Sequence, residues 1–140
     1  MKVLVAVDGS IFTKHAVNYL LEHFDMVGRD SSVTLINVHS PIPPHAAAHL
    51  GRETVQQYYA DESEKVLKGP RNTLAKAGVK TSEVMRVGDP GDEIAEHATK
   101  GKFDIVIMGS HGRGLFKNLV LGSVATKVLA GCKVPVLLIR

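Results

Sequence analysis

Met108-Gly-Ser-His-Gly-Arg-Gly-Leu-Phe-Lys-Asn-Leu-Val-Leu-Gly-Ser-Val124 continues the apolar run 103–108 and leads into a helical pattern. Strand, glycine-rich loop and helix in that order form the outgoing half of a βαβ unit. Glycines at 109, 112, 114 and 122 let the backbone take unusual angles and let a ligand approach main-chain N–H groups closely. The helix start behind them adds unpaired N–H donors and the positive end of a dipole, which together favour a phosphate. This loop is read as the ligand site, with the rest of the chain as its support.

Working outward, the chain repeats the same alternation. Residues 2–7 form a valine-rich run of buried-strand character, ended by the turn signal Asp8-Gly9-Ser10. Phe12, Ala16, Tyr19, Leu20 and Phe24 then recur at helical spacing, and Val33-Thr-Leu-Ile-Asn-Val38 is a second strand. Residues 39–51 carry three prolines and His39, His45 and His49, and read as a loop. A metal site is not favoured there, because the prolines should prevent helical presentation of the histidines. Residues 52–77 read as a long helix that Gly69-Pro70 should kink or interrupt. An alternating strand over 79–87 follows, then a helix opened by Asp89 and Pro90 and closed by Gly101. Val124, Val128 and Leu129 give the last helix its apolar face, and 133–140 forms a fifth strand. Strands alternating with helices predict a single doubly wound α/β domain over residues 1–140, with helices on both faces of a parallel sheet.

Composition excludes several classes. A chain of 140 residues with 44% hydrophobic content can bury a sizeable core. No apolar run approaches the ~18 residues of a membrane span, and the first strand is too short for a signal sequence, so no membrane partner and a cytoplasmic location are expected. The net charge of +3 is spread along the chain without a basic block, which argues against nucleic acid and suits an anionic small ligand. Cys132 is the single cysteine and is read as a packing residue.

Common phosphate motifs can be tested by spacing. Gly109 and Gly114 have the separation of a Walker A loop, but Leu115 and Phe116 stand where Lys and Ser/Thr are required. The dinucleotide fingerprint requires three spaced glycines after the first strand, where this chain has Asp8-Gly9-Ser10. What remains is Gly109-x2-Gly112-x9-Gly122-Ser123.

That pattern resembles the ATP-binding branch of the universal stress protein family. The resemblance extends to Val-Asp-Gly-Ser at 7–10, Leu-Ile-Asn-Val-His at 35–39 and Val-Pro-Val-Leu-Leu-Ile at 134–139. It implies an adenine nucleotide alpha hydrolase-like fold with strand order 3-2-1-4-5 and ATP, with Mg²⁺, across the ends of strands 1 and 4. By position, the main chain of Val38 would meet the adenine edge, with Ala6 and Met108 lining the base pocket. Asp8 would lie near adenine, ribose or Mg²⁺. Gly109, His111, Gly112, Arg113 and Gly114 would wrap ribose and phosphates, and Gly122, Ser123 and Val124 would offer N–H groups and a hydroxyl. Asp8 and Ser123 are the metal candidates.

Plainer readings stand beside these. Asp8 can cap the first helix, His111 can be a loop side chain, and Arg113 and Lys117 can be solvated charges. Tyr58 and Tyr59 read as packing residues. No general base is evident, so the expected function is a nucleotide-dependent regulatory, stress-response module; the alternative is a slow ATPase or phosphotransferase. The last strand, apolar on both faces and at an edge in the implied order, predicts a homodimer through residues 134–139.

Overall fold

The computed structural model describes residues 1–114 and 118–140. Five strands form one parallel sheet in the order β3-β2-β1-β4-β5. β1 (Lys2–Ala6) is central and is buried along all but its first residue. β2 (Ser32–His39) and β4 (Ile105–Gly109) flank it, with β3 (Thr81–Val87) and β5 (Val136–Ile139) at the edges.

Strand periodicity divides the core into two layers. Val3 and Val5 face α1 (Ile11–Glu22) and α4 (Arg52–Lys76), packing on Ala16, Leu20, Val66 and Leu74. Leu4 and Ala6 face α5 (Pro90–Lys100) and α6 (Ser123–Gly131), packing on Ile94, Ala98 and Val128. Leu4, Leu20 and Leu74 are fully buried, each contributing about 1.5–3 kcal/mol relative to exposure. Two short helices complete the chain, α2 (Phe24–Val27) and α3 (Pro44–Leu50).

Three local expectations need correction. Residues 39–51 are not a plain loop: α3 forms there because Pro44 stands in its first turn, where a missing N–H costs no helical bond. Pro70 does not interrupt α4, which remains one helix of 25 residues. Val66 and Leu67 before it and Leu74 after it are buried in the same core, and that burial holds the helix through the defect. Leu129 is not part of the inward face of α6; it is 44% exposed, and Ala125 takes the inward position beside Val128.

Boundaries also shift for identifiable reasons. Gly78, at φ 78°, ends α4 in a Schellman motif, in which its N–H donates to Ala75 O and that of Val79 to Leu74 O. Val79 thereby joins the helix end, and β3 begins at Thr81. Among the described residues, no helix is long and apolar enough to cross a membrane.

Candidate functional site

β1 and β4 are parallel neighbours whose following helices pack on opposite faces of the sheet. A crevice must open where the two chains part, at the carboxyl ends of the strands. A cavity of about 560 Å³ lies there, within the usual size of a small-molecule site. Ala6 and Asp8 line it from the end of β1, Val38 from β2, and Met108 and Gly109 from β4. His111, Gly112, Arg113 and Gly114 line it from the loop, and Gly122, Ser123 and Val124 from the start of α6. The fold thus brings to one cavity every residue that the family resemblance implies. Lys117 lies outside the described residues.

The turn from β1 into α1 satisfies itself. Asp8 Oδ1 accepts from Ser10 N–H at 2.9 Å and from the Thr13 hydroxyl at 2.8 Å, while Asp8 N–H donates to Thr13 Oγ1 at 3.0 Å. Ser10 is the N-cap of α1, accepting weakly from Thr13 N–H at 3.4 Å. Asp8 therefore does organise the helix start, but with one oxygen. Among the described residues Oδ2 has no hydrogen bond, and it faces Gly112, where a Cβ would approach to 3.1 Å.

The loop after β4 is built on close approach. Gly109, Gly112 and Gly122 are not among the positive-φ glycines, so left-handed backbone does not explain them. A Cβ on Gly109 would come within 2.4 Å of Phe12 Cβ, and one on Gly122 within 3.1 Å of His111 Cα and 3.3 Å of Ser110 O. Glycine lets α1 pack on the end of β4 and lets the two ends of the loop close through Gly122 N–H to Ser110 O at 2.7 Å. His111 braces the same closure: Nε2 lies 2.8 Å from Leu119 O, which can only accept, and Nδ1 lies 2.8 Å from the Ser110 hydroxyl. Both ring nitrogens are engaged by the protein, which favours the loop reading of this side chain.

At the end of that loop α6 starts differently from α1. Its N-cap is Gly122 and no side chain caps it. The N–H groups of its first turn have no intrahelical acceptor, and the residues carrying them line the cavity. Unpaired N–H donors and the positive end of the helix dipole at such a place favour an anion.

Asn37 and Glu62 also line the cavity, and neither is a candidate on sequence grounds. Asn37, 4% exposed, donates through Nδ2 to Val7 O at 2.8 Å and accepts from Ser63 Oγ at 2.9 Å, tying β1, β2 and α4 together beneath the cavity. An amide inside an otherwise apolar strand was the available signal, since a buried amide must be satisfied. Glu62 lines the α4 wall, hydrogen-bonded to Lys65 at 2.9 Å; that bond first, and the Lys65 charge next, lower its pKa. Arg113 reaches over Gly9 towards Val66 and lies near enough to Glu62 to be felt electrostatically. Tyr59 is buried and accepts from Ile42 N–H at 2.7 Å, whereas Tyr58 is exposed. His39 rests against both rings, with its Nε2 buried and without a hydrogen-bond partner among the described residues.

The donor set fits a nucleotide-bound Mg²⁺ better than a protein-caged ion. Among the described residues no group of three or more His, Cys, Asp or Glu could hold a metal. Mg²⁺ commonly takes one or two protein oxygens beside phosphates and waters, and Asp8 and Ser123 each bring an oxygen-bearing side chain to the cavity lining.

The family profile described as the universal stress protein family matches residues 1–140. The chain belongs to that family. Universal stress protein MJ0531 of Methanocaldococcus jannaschii is 29% identical over 143 residues, covering 99% of this chain and 81% of that protein. The solved structure of the M. jannaschii protein MJ0577 superposes with a TM-score of 0.84 at 27% identity, covering 99% of this chain and 94% of that one. A universal stress protein family protein from Arabidopsis thaliana, solved with AMP bound, shares the fold at 23% identity and a TM-score of 0.69, covering 99% and 90% of the two chains. Among universal stress proteins, then, this chain has the strand order and the crevice expected of it.

Proposed function

We propose that this universal stress protein binds ATP in the β1/β4 crevice and acts as a nucleotide-dependent regulatory module. The observation that carries the reading is the uncapped α6 start, whose first-turn residues face a cavity with an apolar inner end. Ala6, Ile36, Val38 and Met108 supply the apolar end, which suits an adenine ring. Ser123 and Val124, with the lining Arg113, suit the phosphates, with Mg²⁺ at Asp8 Oδ2 and Ser123. The AMP held by the Arabidopsis relative supports an adenine nucleotide as the ligand class.

Binding is favoured over catalysis because Glu62 is a weak base and Asp8 has one oxygen engaged by the protein and the other assigned to Mg²⁺. Asp8 Oδ1 is committed to the β1–α1 turn, and Glu62 is held as a carboxylate by Lys65. Hydrolysis is therefore incidental to the role. Titration calorimetry of the full chain with ATP and Mg²⁺ tests the reading: saturable binding near one nucleotide per chain supports it, and no heat at millimolar ATP overturns it. Steady-state turnover on the order of one per second would favour the enzyme alternative.

The same reading includes a homodimer. β5 pairs with β4 on one side only and occupies the sheet edge. Its side chains are half-buried, Leu137 and Ile139 on one layer and Val136 and Leu138 on the other. A second copy pairing the same strand about a two-fold axis would cover that edge. A monomeric mass at micromolar concentration would count against it.

A further inference from the structure

The nucleotide reading leaves unused the histidines of α3. Residues 46 and 47 of this helix are half-buried, while His45, Ala48 and His49 are exposed. Positions i, i+3 and i+4 share one face, so α3 turns Ala46 and Ala47 inward and presents both imidazoles outward as neighbours, with the small Ala48 beside them. Neither ring has a hydrogen-bond or aromatic partner among the described residues. The helix is also fixed at both ends. Pro43 O accepts from Ala47 N–H at 3.0 Å, and Ala47 O accepts from Gly51 N–H at 3.1 Å. Gly51, at φ 82°, then turns the chain into α4.

We propose that His45 and His49 form a two-histidine chelate for a divalent transition metal of the zinc, nickel or copper class. Two imidazoles one helical turn apart can ligate the same ion, as paired helical histidines do in zinc enzymes. Imidazole nitrogen suits these metals and not Mg²⁺ or Ca²⁺, which prefer oxygen. No third protein ligand completes the site among the described residues, so water fills the remaining positions and the ion is exchangeable. The ion would clamp one turn of α3, which the chain reaches directly from the cavity-lining His39 and Ser40. The site is separate from the Mg²⁺ proposed with ATP, and it stands whether or not ATP binds.

The test is calorimetry of the tag-free full chain with Zn²⁺ alone, in a non-chelating buffer at neutral pH. One ion per chain is expected. Either His45→Ala or His49→Ala should weaken it by about tenfold or more, because the second ligand's effective concentration is lost. Both positions are exposed, so thermal melting without metal should be unchanged. The double variant His49→Ala with Leu50→His keeps the histidine count but moves one ring off the face, and should not restore binding. Unchanged affinity in both single variants, full binding in the double variant, or one ion shared by two chains would each overturn the chelate.

Discussion

The turns that follow β1 and β4 are neighbours in space and opposites in how they treat a helix start. After β1, Asp8, Ser10 and Thr13 use one another's donors and acceptors, so α1 begins with its first turn largely satisfied. After β4, glycine takes the N-cap of α6 and no side chain satisfies the first turn. A Ser, Thr, Asp or Asn cap stabilises a helix by about 1 kcal/mol relative to Ala, but by only a few tenths of a kcal/mol relative to a glycine such as Gly122. Leaving α6 without one is a local loss of stability at the place where an anion can supply the missing acceptors. One turn is finished by its own side chains; the other, on the proposed function, is completed by the ligand.

The largest expected effect breaks the second turn. Gly122→Val places a branched side chain against His111 Cα and Ser110 O, both backbone atoms, so the two ends of the loop must move apart. ATP affinity should fall by about 100-fold, roughly 2.7 kcal/mol, in calorimetry with Mg²⁺. Unchanged affinity would mean that the α6 start does not hold the phosphates.

Next comes the first turn. Thr13, 3% exposed, both donates to and accepts from Asp8. Thr13→Val keeps its shape and strands Asp8 N–H, which should cost about 2 kcal/mol in urea unfolding. ATP affinity should weaken as well if Asp8 Oδ2 serves the metal, since the carboxylate loses its orienting bond. A smaller pair of substitutions sharpens the contrast directly. Ser10→Ala removes a working, though long, cap and should destabilise by about 1 kcal/mol. Ser123→Ala removes a hydroxyl that caps nothing, and should change stability by no more than about 0.5 kcal/mol while lowering affinity for Mg²⁺-ATP. Equal stability losses in the two would remove the distinction.

The contrast also marks what the sequence could disclose. β1, β2 and β4 are buried on both sides, so each reads as an apolar run, and the layer order follows from their alternation with helices. The glycine spacing led to the cavity because no side chain competes with it as a signal. The reason for the glycines was less visible: Gly109 is small because Phe12 presses on it, a contact between positions almost a hundred residues apart. Asn37 and Thr13 were missed for the opposite reason. Their partners, Ser63, Val7 O and Asp8, are fixed by packing that no local pattern encodes. α3 is hidden in the sequence because proline reads as a breaker, whereas at the first turn it starts a helix.

A third helix start, that of α5, gives the smallest effect and separates capping from ligand binding. Asp89 caps it, accepting from Asp92 N–H at 3.1 Å, and its second oxygen accepts from Lys127 Nζ at 2.9 Å. The Lys127 hydrogen bond first, and the backbone bond from Asp92 next, hold the Asp89 carboxyl below its ordinary pKa of 3.8. A group depressed in the folded state adds stability that is present above its unfolded pKa and is lost as pH falls through the folded value. The loss from Asp89 should therefore appear only below about pH 4. Solvent screens the exposed pair, so the effect is slight and weakens further with added salt. Asp89→Asn keeps a capping oxygen but cannot titrate, and Lys127→Met removes the ion pair. Each should flatten the fall of melting temperature between pH 4 and pH 2.5 while leaving ATP affinity at pH 7 unchanged. A loss of affinity in either would show that α5 shares the ligand-completed character of α6, and the division between finished and unfinished helix starts would have to be redrawn.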